Sequence, residues 1–95
     1  MAHFSDQVQF KIFEDMVRLS FRIQDRCVIE HMVSKEDFES ILHCTSETWD
    51  GVGNVQAKRD SRQVLIRIVG SVGYVHSISP RAFSELCNEY LSRRG

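Results

Sequence analysis

One part of this chain is similar to another part of it, and this internal similarity constrains the fold more than any other feature. Residues 19–41 align without a gap on residues 64–86, at an offset of 45 positions. Five of the 23 aligned pairs are identical: Arg22/Arg67, Ile23/Ile68, His31/His76, Ser34/Ser79 and Phe38/Phe83. The alignment indicates one structural unit used twice, so we expect the same order of elements in both copies.

The first copy has the pattern of two strands followed by a helix. Apolar side chains alternate with polar ones over residues 17–23 and again over 27–33, which is the period of half-buried strands. The polar segment 24–26 predicts the turn between them. Ser34 predicts a helix start, because its hydroxyl can accept a hydrogen bond from an early backbone N–H.

The second copy repeats this plan. Residues 64–68 and 74–78 predict two strands, and the glycine-containing segment 70–73 predicts the turn. Ser79 followed by Pro80 predicts a helix start, since proline suits the first helical position. Apolar stripes at helical spacing follow both serines: Phe38, Ile41 and Leu42 in one copy, and Ala82, Phe83, Leu86, Cys87, Tyr90 and Leu91 in the other.

These patterns predict an α+β fold in two layers: an antiparallel sheet with two helices on one face, from a tandem strand–strand–helix duplication. We expect a single domain over residues 1–95, with unit one at 17–44, a connector at 45–62 and unit two at 63–92. Residues 8–12 predict an extra N-terminal strand. The alternative is a short helix over 6–15, but Phe10 fits only the strand pattern.

Charge and composition narrow the function classes. Twelve Lys and Arg oppose thirteen Asp and Glu, and the net charge of −1 argues against a general polyanion binder. No apolar run approaches the roughly 20 residues of a membrane helix, and the charged N-terminal segment lacks the apolar stretch of a signal peptide. Three cysteines without CxxC spacing predict free thiols in a reducing compartment, so we expect a cytoplasmic protein. No residue pattern indicates a cofactor.

The matched histidines, His31 and His76, are the leading candidates for chemistry. Each lies three residues before the serine that begins a helix, on the apolar face of a strand. Imidazole titrates near neutral pH and ligates metals, so this pair predicts an acid–base or metal site. The alternative is two histidines at the edge of the core, each hydrogen-bonded to a backbone carbonyl. No zinc motif, nucleophile elbow or phosphate-binding loop accompanies them, which favours a non-catalytic protein.

Three surface features suggest interactions. Arg18, Arg22 and Arg67 point away from the apolar strand faces and predict one basic sheet face. Three apolar residues of unit two also point outward and predict a surface for self-association: Leu65, Val69 and Val75. Trp49 lies in a polar loop, where it either folds back onto the domain or contacts a partner.

We therefore predict a small intracellular protein-interaction module that is homodimeric and non-catalytic, and that acts by binding another protein. The sequence does not identify that protein, and no membrane contact is expected. The alternative is a nucleic-acid-associated protein that uses the basic face of Arg18, Arg22 and Arg67. A third interpretation is a small metal-dependent or hydrolytic enzyme at the paired histidines.

Overall fold

A computed structural model describes residues 3–4, 7–23, 27–44, 46–69 and 74–93, and the predicted turns 24–26 and 70–73 lie outside them. These residues form a small α+β fold of seven strands and two helices: β1 (His3–Phe4), β2 (Gln7–Phe13), β3 (Met16–Ile23), β4 (Cys27–Ser34), α1 (Lys35–Glu39), β5 (Val55–Arg59), β6 (Val64–Ile68), β7 (Tyr74–Ile78) and α2 (Pro80–Arg93). The predicted α+β class is confirmed.

The strands form two sheets, which corrects the prediction of a single antiparallel sheet. A three-stranded sheet has the order β2-β3-β4 and is antiparallel throughout. A four-stranded sheet has the order β1-β7-β6-β5, in which only β1 runs parallel to its neighbour. Each predicted hairpin gains its third antiparallel strand from the residues before it, β2 in one case and β5 in the other. The two hairpins therefore each build a sheet of their own.

The N-terminal strand is confirmed, and it extends over the whole of β2. It pairs with β3 so that Phe10 lies opposite Leu19. The tight turn between these strands places Glu14 at a positive φ of 50°. Pairing with β3 aligns the apolar residues of β2 with the apolar face of β3, and this tertiary contact favours the strand over the alternative helix.

Both predicted helix starts are confirmed. The Ser34 hydroxyl accepts a hydrogen bond from the Asp37 N–H at 3.1 Å, and the Ser79 hydroxyl accepts one from the Ala82 N–H at the same distance. Although α1 ends at Glu39, the residues predicted to form its apolar stripe are all buried. In α2 the buried residues are Phe83, Leu86, Cys87 and Tyr90.

The core lies between the apolar faces of the sheets and the helices. Its fully buried members include Val17, Leu19 and Phe21 of β3, Val64 and Ile66 of β6, and Phe38 of α1. We call the side of each sheet that faces this core its inner face. Val8, Phe10 and Ile12 of β2 also pack on the core, so the opposite, outer face of each sheet carries the remaining side chains.

The predicted connector contains a sheet strand, β5. Asp50 and Ala57 exchange two backbone hydrogen bonds, of 2.8 and 2.7 Å, and close the loop of residues 51–56. The chain then continues as β5 along β6. In the part of the chain that the structure describes, no helix is long and apolar enough to cross a membrane.

Candidate functional site

The two matched histidines contact each other directly. His31 lies opposite Leu19 in the three-stranded sheet, and His76 lies opposite Ile66 in the four-stranded sheet. Both occupy inner-face positions, and their Nε2 atoms are 3.0 Å apart. Because the inner faces meet here, residues that are 45 positions apart in the chain form one site.

Phe21 positions this pair. Its ring is stacked on the His76 ring with centroids 3.9 Å apart and an angle of 1° between the planes. The same Phe21 ring meets His31 edge to face at 5.9 Å. His76 and Phe21 are fully buried, whereas His31 is partly exposed. The site is therefore held on one side by an aromatic ring and reaches solvent through His31.

The Nε2–Nε2 contact limits the protonation states of the pair. One Nε2 must donate and the other must accept, so at least one of the two imidazoles is neutral. Burial lowers the pKa of His31, which favours its neutral form near neutral pH. A neutral imidazole can accept a proton or bind a metal ion, and both chemistries are open to this pair.

The groups that would complete a hydrolytic site do not join the histidines among the described residues. Cys27 lies four residues before His31 in the same strand, which separates their backbones by about 13 Å. The Cys44 thiol donates to the Ala57 carbonyl at 3.4 Å, and burial raises the pKa of Cys87 to about 11. Among the side chains that the structure describes, no three His, Cys, Asp or Glu groups come together in a way that could hold a metal ion.

A second candidate site is the outer face of the three-stranded sheet, formed by Lys11, Phe13, Arg18, Ser20, Arg22, Val28, Glu30 and Met32. Five large apolar residues are exposed in the described chain, and three of them lie on this face: Phe13 at 36%, Met32 at 54% and Val28 at 57%. Lys11 Nζ and Arg18 Cζ each lie 5.3 Å from the centre of the Phe13 ring. Arg18 also pairs with Glu30 at 3.2 Å. Two cations thus lie against the exposed Phe13 ring.

The predicted basic face of three arginines requires correction. Arg18 and Arg22 belong to β3 of the three-stranded sheet, whereas Arg67 belongs to β6 of the four-stranded sheet. Because the inner faces of these sheets meet in the core, the outer faces do not form one surface. Lys11 lies opposite Arg18 and joins it on the outer face of the three-stranded sheet.

Trp49 folds back onto the outer face of the four-stranded sheet. The Arg67 guanidinium carbon lies 4.2 Å from its ring centre, and Lys58 Nζ lies 4.9 Å from it. Arg67 also donates to the Gln56 side-chain oxygen. Leu65 and Val75 are partly buried beside this cluster, and Val69 is 41% exposed. Trp49 therefore contacts the same outer face as the three apolar residues predicted for self-association.

Sequence reasoning did not include Val28 and Met32 among the candidate surface residues. The available signal was their alternation with Ile29, His31 and Val33, which places them on the opposite side of β4. No known protein family, curated protein or solved structure matches this chain. The geometry of the chain itself is therefore the basis for proposing a function.

Proposed function

We propose that this chain is a small, non-catalytic protein-interaction domain that binds its partner on the outer face of the three-stranded sheet. The observation that carries this proposal is the exposure of Phe13, Val28 and Met32 together on one sheet face. Aromatic and methionine side chains are enriched at protein interfaces.

The charges of this face indicate the chemistry of the partner. Its described residues include three cations, Lys11, Arg18 and Arg22, against the single carboxylate of Glu30. An apolar segment flanked by acidic residues would cover Phe13 and Met32 while its carboxylates meet the surrounding cations. We therefore propose an acidic, apolar-bearing protein segment as the partner.

A peptide titration tests this proposal. The probe is a short synthetic peptide in which glutamate alternates with leucine, added to the isotope-labelled chain and followed by nuclear magnetic resonance. We expect amide shifts confined to the outer face of β2, β3 and β4, and weaker binding at higher salt. Lys11→Glu should weaken binding roughly fivefold, because one exposed charge contact contributes on the order of 1 kcal/mol.

Arg81→Glu is the matched control. It changes the net charge by the same amount, and the Arg81 side chain is 89% exposed on α2, outside this face. Equal losses of binding in both variants, or shifts spread over the whole surface, would contradict the proposal. Tighter binding of a mixed-sequence single-stranded RNA at the same face would replace it with the nucleic-acid alternative.

We also propose that two copies associate through the outer face of the four-stranded sheet, around Leu65, Val69 and Val75. Tryptophan and arginine, which dominate interface energetics, lie beside these residues as Trp49 and Arg67. Charged groups of both signs border this face near Leu65: Glu47, Lys58, Arg59 and Asp60. A second copy of the same surface can therefore meet opposite charges.

Replacing Val69 by lysine should shift the protein from dimer to monomer. The substitution would bury an unpaired charge in the proposed interface, which is far less favourable than leaving it in water. Light scattering measures the outcome. Val52→Lys is the matched control, because Val52 is 56% exposed in the connector turn. A wild-type monomer at high concentration, or a dimer unaffected by Val69→Lys, rejects this surface.

We further propose that the domain arose by duplication and functions in a reducing compartment such as the cytoplasm. Both halves have the order of three antiparallel strands and a helix, and His31 and His76 each lie in the third of these strands. The Phe38 and Tyr90 rings lie 4.8 Å apart, which supports a common side for the two helices. The halves differ in hairpin register, since Leu19 pairs with His31 whereas its counterpart Val64 pairs with Ile78.

The three free cysteines support the proposed reducing compartment.

A further inference from the structure

Strand β2 lies at the edge of the three-stranded sheet, and one of its long sides is open. Phe13 and Met16 close the two-residue turn to β3, so they form a hydrogen-bonded pair. Because hydrogen-bonded and non-hydrogen-bonded pairs alternate along an antiparallel ladder, the backbone N–H and C=O groups of Val8, Phe10 and Ile12 point away from β3. Among the described residues, no backbone group bonds to them on that side. The open edge therefore presents a row of donors and acceptors that another extended chain can match.

A groove of about 490 Å³ runs along this open edge, between β2 and α2. Residues 7–10 of β2 form one wall, and the other consists of Ala82, Glu85, Leu86, Glu89 and Arg93. The helix residues repeat at intervals of three and four positions, so they lie on one side of α2. The wall from β2 includes residues of both sheet faces, which shows that the groove follows the strand edge. A strand added about 4.8 Å beyond β2 would lie within it.

We propose that an extended basic peptide segment binds in this groove by adding to β2 as a further antiparallel strand of the three-stranded sheet. Strand addition at an open sheet edge is an established mode of peptide recognition, in which backbone hydrogen bonds give affinity and alternate side chains give specificity. This site is separate from the outer face proposed above for the acidic partner, because it uses the edge of β2 and the side of α2.

The charges of the groove favour basic side chains in the segment. Two carboxylates line the groove, those of Glu85 and Glu89, against the single cation of Arg93. Each carboxylate pairs with an arginine of α2, at 3.2 Å for Arg81–Glu85 and 2.6 Å for Glu89–Arg93. All four side chains are more than half exposed, so these pairs are weak and the carboxylates can accept a further cation.

Antiparallel pairing determines which residues of the segment face the helix. Residues directly opposite each other point to the same face of a sheet, so the residues opposite Val8 and Phe10 would face α2. The same residues would exchange backbone hydrogen bonds with Val8 and Phe10, and the backbone groups of the residues between them would point to solvent. A lysine at such a position would lay its methylene stem along these partly buried side chains and extend its ammonium group towards Glu85 and Glu89.

The test is titration with a short synthetic peptide in which lysine alternates with threonine. Nuclear magnetic resonance should show amide shifts confined to β2 and the adjacent side of α2. N-methylation of the lysine amides should abolish binding, because these N–H groups would bond to β2. N-methylation of the threonine amides should leave binding unchanged, because these groups would face solvent. Equal binding by the two methylated peptides, or by a peptide with glutamate in place of lysine, overturns the proposal.

Val8→Pro removes one edge donor from the protein without breaking the ladder to β3, which is where an edge strand tolerates proline. It should weaken peptide binding about tenfold, because it removes a hydrogen bond and places the ring in the path of the added strand. Val28→Pro is the matched control. Val28 lies on the other edge strand, β4, opposite Arg22, and Arg22 is bonded to β2, so the Val28 N–H also points away from β3. This control should bind the peptide as the wild type does.

Circular dichroism establishes that both proline variants are folded. If Val8→Pro fails to fold, Glu89→Gln decides: it should weaken binding about fivefold, whereas Glu36→Gln, at an exposed position of α1, should not. A chain that does not bind the peptide, or a test variant that binds as well as its control, overturns the proposal. Shifts along β2 that appear on raising the protein concentration without peptide would show a second copy in the groove, and they would also overturn it.

Discussion

Replacing Phe38 by alanine should lower the free energy of unfolding by about 3–5 kcal/mol. Phe38 lies in α1, is fully buried, and meets the Tyr90 ring of α2 edge to face at 4.8 Å. Its removal leaves a cavity where the two helices and the three-stranded sheet meet. Because small domains are stable by only about 5–15 kcal/mol, this one truncation should remove a large part of the total.

Urea unfolding followed by circular dichroism gives the measurement. Phe83→Ala should behave similarly, since Phe83 is only 2% exposed on the buried stripe of α2. Phe13→Ala is the matched control: the same atoms are removed from an exposed position, and the loss should be about 1 kcal/mol or less. If Phe38→Ala and Phe13→Ala shift the unfolding midpoint equally, the assignment of Phe38 to the core is wrong.

The sequence predicted the elements whose signals are local. The Ser34 and Ser79 caps, the strand at β2 and the apolar stripe of α2 each depend on a few neighbouring residues, and the structure confirms them. Strand pairing is different, because it depends on residues far apart in the chain. The placement of β5 beside β6 and of β1 beside β7 therefore had no local signal, and the division into two sheets was not predicted.

The candidate sites show the same difference between local signals, which the sequence carries, and long-range contacts, which it does not. The internal similarity singled out His31 and His76, but their 3.0 Å contact depends on how two sheets pack. Periodicity correctly placed Arg18 and Arg67 away from the apolar strand faces. Periodicity could not assign these two arginines to different sheets. An alternation of two shows on which side of its own strand a residue lies, but it does not show which sheet that strand joins.

Replacing Gly51 by alanine should strongly destabilise the connector turn. Gly51 has a φ of +124°, a conformation that residues with a side chain rarely adopt, and such backbone strain costs about 1–3 kcal/mol. The added Cβ would also lie 2.6 Å from the Val55 carbonyl oxygen and 2.9 Å from a methyl carbon of Ile41. The first contact is with backbone, so a change of side-chain rotamer cannot relieve it.

Trp49 lies directly before this turn, and it is the only tryptophan of the chain. Its fluorescence therefore reports on the connector alone. We expect Gly51→Ala to lower the melting temperature and to move the emission to longer wavelength, because the ring would lose its contacts with Arg67 and Lys58 and become more exposed to water. Val52→Ala, at an exposed neighbouring position, should change neither quantity. An unchanged emission in Gly51→Ala would mean that Trp49 is held by the sheet rather than by the turn. The proposed dimer surface would then depend on Arg67 and Lys58, and not on the turn at Gly51, to orient the tryptophan.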